Sequence, residues 1–165
     1  MSENVDDELA RRLKDVAASI AGLGEDEAVE MLEARLKQVE ANGLARHRLS
    51  LARARGTLAN ALCGDADPDM LASLEDMVDT IERSGPADVV PLPSPASAAD
   101  PASTDYDPEL AGNLAELLAC HHQNTVSILG LIAKTSVAGD DPELLATLDE
   151  LLNYDLAAIT ELEGS

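Results

Sequence analysis

The sequence predicts an all-α protein, a helical bundle of five to six helices built from two duplicated helical hairpins. Three observations point there. Apolar residues make up 45% of the chain but aromatics only 1%, with no Trp or Phe, so the core must come from Leu, Ala, Val, Ile and Met. Those residues favour helix over sheet. Apolar positions recur at intervals of three and four, separated by Gly, Asn-Gly and Asp-Pro punctuation. Two stretches of the chain also superpose without a gap at an offset of 74 residues.

The elements follow in order. Residues 6–21 place Leu9, Leu13, Val16 and Ile20 on one helical face, with acids in the first turn, and Gly22 and Gly24 end that helix. A second helix is expected over 25–41, with Val29, Leu32, Leu36 and Val39 as its stripe. Asn42-Gly43 reads as a C-cap, with one continuous kinked helix as the alternative. A third helix over 44–63 is followed by a Gly64–Pro68 turn and a fourth helix reaching Arg83. Residues 84–105 are rich in Pro, Ala, Ser and Asp without periodicity, which predicts a linker between an N-terminal half (1–83) and a C-terminal half (106–165). A long helix is expected from Asp107-Pro108 to about Ala138, and the last one after the 139–143 turn.

In the duplication DPDMLASLEDMVD (67–79) lies on DPELLATLDELLN (141–153), every position identical or closely substituted. Upstream, Leu44, Ala45 and His47 fall on Leu118, Ala119 and His121, and Gly56 falls on Gly130. One hairpin, a long helix carrying LAxH, an Asp-Pro turn and a shorter helix, is thus read twice, the first copy at about 44–83. Two such hairpins pack naturally as a four-helix bundle.

Charge narrows the function. Acids outnumber bases 32 to 11, giving a formal net charge of −21, and a pI near 4.1 argues against nucleic acid as a partner. The acid excess, scarce Lys and small apolar side chains resemble the composition of proteins from salt-accumulating archaea, which implies adaptation to high salt, where repulsion is screened. The polar N-terminus and the absence of an 18-residue apolar run predict a cytoplasmic protein without a membrane span. Cys63 and Cys120 stand singly, so free, buried thiols are expected.

The stretch 117–139 carries one charged side chain, Lys134, which points to burial. On a helical wheel His121 sits about 20° from Ile128, inside the apolar stripe, and His47 takes the matching place in the first copy. Such a histidine is either a core residue bonded to a neighbour such as Thr125 or an Asp, or part of a metal or cofactor pocket made by His47, His121 and His122. In layout, the hairpin with its histidine, Ile128-Leu129-Gly130 and Asp-Pro-Glu turn resembles the phospho-acceptor hairpin of sensor histidine kinases, which would imply phosphotransfer. It departs from that pattern in lacking an acid after His121 or His47. No catalytic residues emerge, because the adjacent Cys120 and His121 diverge on a helix and no phosphate-binding glycine loop exists. Arg46, Arg48, Arg53 and Arg55 occupy an acid-free stretch in two rows flanking His47. They are candidates either to pair with acidic neighbouring helices or to bind an acidic partner or an anion. Together these features predict a non-catalytic interaction or assembly protein whose partner is another protein or a second copy, with the metal-binding bundle as the alternative.

Overall fold

The computed structural model describes residues 2–21, 24–85, 91–139 and 141–164; Gly22, residues 86–90 of the expected linker and Asp140 of the last turn lie outside them. The described residues form six helices and no strand: α1 (Ser2–Ile20), α2 (Glu25–Leu62), α3 (Pro68–Arg83), α4 (Pro95–Ala99), α5 (Pro108–Ala138) and α6 (Pro142–Gly164). An all-α bundle is therefore observed. No helix is long and apolar enough to cross a membrane among the described residues. The chain divides into two compact units, Met1–Glu40 and Ala41–Ser165.

Four of the helices begin with proline, whose missing N–H falls where a helix leaves its first donors unpaired. An acceptor side chain precedes each. Asp67 Oδ1 accepts from Met70 N at 2.8 Å, and Asp141 Oδ1 accepts from Leu144 N at 3.1 Å, the same bond at matched positions of the two hairpin stretches. Ser94 Oγ accepts from Ser97 N, and Asp107 Oδ1 from Glu109 N and Leu110 N. At the other end of α5, Gly139 adopts φ +125°, a backbone state that side chains disfavour.

Two expectations are revised. Asn42-Gly43 does not end a helix; α2 runs unbroken through it for 38 residues. The reason is that Asn42 is buried and its side chain is used between helices. Its Nδ2 donates to Asp107 Oδ2 at 3.1 Å, and its Oδ1 accepts from Asn113 Nδ2 at 2.8 Å. The segment expected as a linker contains α4, and its Leu92 and Ala98 are buried in the core. Proline and small residues hid two apolar anchors there, and Asp107 N donates to Ala98 O at 2.9 Å to tie the segment to α5.

Within the second unit α2, α5 and α6 share most of the core. Ala41, Leu44, Ala45, Leu49 and Ala52 of α2 meet Leu110, Leu114 and Leu117 of α5 and Leu162 of α6. Further along, Ala59, Ile128, Leu148 and Leu152 form the next layer. Val78 of α3 packs on the other side of α2, against Ala54 and Leu58. Arg46 reaches Glu109 and Arg53, two turns later, reaches Glu116, so α2 and α5 run parallel. Burial accounts for only one face of α5: Leu110, Leu114, Leu117 and Ile128 are inside, while Val126 and Val137 remain 73% and 90% exposed.

Candidate functional site

Helical spacing gathers one face of α2. Leu44, His47, Arg48, Leu51, Ala52 and Arg55 fall on one helical face, three or four residues from one turn to the next, and line a groove of about 380 Å³. One wall is the end of α3, with Glu82 and the following Gly85; the other is α6, with Tyr154, Ala157, Ala158 and Glu161 at the same spacing. His121 of α5 reaches the groove from beneath. Its size falls in the ordinary range of small-molecule pockets.

The structure brings His47 and His121 to this groove and separates the roles of the three histidines. His121 is buried, and its Nδ1 lies 2.6 Å from Asp155 Oδ1, itself buried. A carboxylate oxygen can only accept, so the Nδ1 proton is donated to it. Asn124 supports the pair: its Nδ2 donates to Ala52 O at 2.9 Å and reaches Asp155 Oδ1 at 3.5 Å. Thr125 Oγ1 donates to the His121 backbone oxygen instead of its ring. His47 is half-buried and abuts Gly85, where a Cβ would stand 2.6 Å from its Nε2. His122 is exposed, with Nε2 3.1 Å from Glu163 Oε1. Among the described residues, no group of three or more His, Cys, Asp or Glu side chains is spaced to hold a metal ion.

The four arginines divide into the two rows that the sequence spacing sets up. Arg46 and Arg53 pair with Glu109 at 2.7 Å and Glu116 at 3.9 Å, all four well exposed. Arg48 and Arg55 turn into the groove and meet Glu161 at 3.3 Å and Glu82 at 3.5 Å. The Arg55 guanidinium also stacks on the Tyr154 ring, 3.5 Å from its centroid. The exposed Arg46–Glu109 and Arg53–Glu116 pairs stabilise by about 1 kcal/mol each at most. Both thiols are free and half-buried. Burial raises the Cys120 thiol above its ordinary value, with Asp155 acting in the same direction and Arg53 partly opposing it.

Asp155, Asn124, Tyr154, Glu82 and Glu161 were not singled out from the sequence. Asp155 did carry a signal, since it lies about 20° from Leu148 on the α6 wheel, an acid on an apolar stripe. Asn124 carried the same signal on α5. No protein-family profile, curated protein or solved structure matches this chain.

Proposed function

We propose that the protein is a non-catalytic helical assembly protein that pairs with a second copy through its 1–40 hairpin and works in concentrated salt. One observation carries this reading. Among the described side chains of residues 7–40 none is buried, although α1 and the first turns of α2 present regular apolar stripes. Leu9, Leu13 and Leu36 are 43%, 50% and 53% exposed and line a narrow cleft with Val16, Leu32 and Val39. Helices of this length depend on burying such stripes against a partner. A second hairpin offers the same stripe, so two copies satisfy each other around a twofold axis as a four-helix arrangement.

The charge supports the same reading. Two chains of −21 repel at low salt, and the repulsion is screened over about 3 Å at 1 M salt. The free thiols Cys63 and Cys120 suit a reducing compartment such as the cytoplasm. The test is the mass from light scattering across a KCl series. A dimer that strengthens with KCl, and that is lost in Leu13→Glu and Leu36→Glu, supports the proposal. A compact monomer at every KCl concentration refutes it. Loss of helix in dilute buffer that KCl restores supports the salt component, and full structure in dilute buffer refutes that part alone.

A further inference from the structure

We propose that the groove between α3 and α6 binds a small monocarboxylate with an apolar body, its head group held by Arg55 and Arg48. Arg55 carries the argument. Its side chain is only 13% exposed, yet among the described residues its guanidinium meets a single carboxylate oxygen, Glu82 Oε1, at 3.5 Å, the outer limit of a hydrogen bond. A guanidinium presents five donors in a fixed fork, and a carboxylate fills two of them in parallel. Tyr154 covers one face of that guanidinium, and its side chain lines the open groove. A shielded cation with a stretched ion pair at the edge of an open groove is a place where a further anion can bind.

The walls define the rest of the ligand. Arg48 lies two turns before Arg55 on the same face, 26% exposed, and its Glu161 contact is also long at 3.3 Å. Leu44, Leu51, Ala157 and Ala158 supply apolar surface between the charged groups. Glu82 and Glu161 on the rim, in a chain of −21, oppose a doubly charged phosphate more strongly than a singly charged carboxylate. Glu82 is more than half exposed, so it can turn to water as the ligand takes its place.

The full chain is titrated with isovalerate at fixed ionic strength and followed by NMR, with the neutral amide isovaleramide as control. Saturable shifts confined to groove positions are expected with isovalerate and none with isovaleramide. Arg55→Gln should weaken binding by about tenfold or more. Arg53→Gln, whose pair with Glu116 lies outside the groove, should leave it unchanged. Glu82→Gln should tighten binding, because it removes the competing carboxylate; this variant decides the matter where Arg55→Gln does not fold. The proposal is overturned by an absence of saturable shifts, by equal binding of the amide, by equal losses at Arg53 and Arg55, or by no gain in Glu82→Gln.

Discussion

Gly56 and Gly130 occupy matched positions of the two hairpin stretches, both inside long helices, and replacing each by alanine should change stability in opposite directions. At Gly56 an added Cβ would stand 2.5 Å from Asn124 Oδ1 and 3.1 Å from its Cγ. Asn124 cannot simply rotate away, because it is buried and its Nδ2 donates to Ala52 O. Displacing it leaves a buried amide unpaired, at a cost of about 1–3 kcal/mol. Repacking the contact costs about 1–3 kcal/mol more where the helices cannot separate. The helix preference for Ala over Gly returns about 1 kcal/mol. The net expectation for Gly56→Ala is a loss of about 1–5 kcal/mol. At Gly130 an added Cβ meets nothing within 4 Å, so only the propensity gain remains, about 0.5–1 kcal/mol of stabilisation. Urea unfolding followed by circular dichroism at fixed high KCl reads both values. In an Asn124→Ala background the obstacle is gone, and Gly56→Ala should become neutral or stabilising. Shifts of the same sign at both glycines, or a Gly56→Ala penalty that persists without Asn124, would refute the packing argument.

Asp155→Ala removes the acceptor shared by His121 and Asn124, both buried, and should destabilise by about 2–4 kcal/mol in the same urea assay; a change within 0.5 kcal/mol, as at an ordinary surface site, would show that the pair is not formed. Asp107→Ala strips the α5 cap and one bond of Asn42, and a loss of about 1–3 kcal/mol is expected. Cys120 should react with iodoacetamide more slowly than a free thiol at neutral pH, because burial raises its pKa and keeps it protonated. The sign of the linkage follows: the folded value lies above the unfolded one, so this contribution to stability is complete below the unfolded pKa and is lost as pH rises through the folded one. Site-resolved mass spectrometry across pH checks it, and labelling of Cys120 as fast as free cysteine would count against burial.

Helix content and starts were legible because they rest on local chemistry. Proline at N1 behind Asp67, Asp107 and Asp141 is satisfied within one turn, so nothing distant can overrule it. Asn42-Gly43 was ambiguous for the opposite reason. Its reading as a stop assumed an Asn side chain serving its own backbone, whereas Asp107 and Asn113, more than sixty residues away, engage it instead. Leu92 and Ala98 were hidden in the same way, since burial of two residues in a proline-rich segment leaves no periodic trace. At the site, the spacing of the arginines set out both rows, but which acid each would meet depends on which helices flank α2.

That dependence also explains why the two matched histidines have different surroundings. Matching residues in the two hairpin stretches fixes which helical face they occupy and says nothing of what lies across from it. His121 faces Asp155 of α6, while the residue matched to Asp155 in the first hairpin is Ile81, so His47 finds no equivalent acid on α3. α2 is packed on one side by α5 and α6 and on another by α3. The strip of α2 that carries His47, Arg48 and Arg55 lies between those contacts, walled by α3 and α6. In the second hairpin the positions matched to Arg48 and Arg55 are His122 and Leu129, both on the exposed side of α5. The two stretches therefore differ at these positions as their surroundings do: Arg48 and Arg55 face glutamates across a groove, whereas His122 and Leu129 lie on a helix surface open to water.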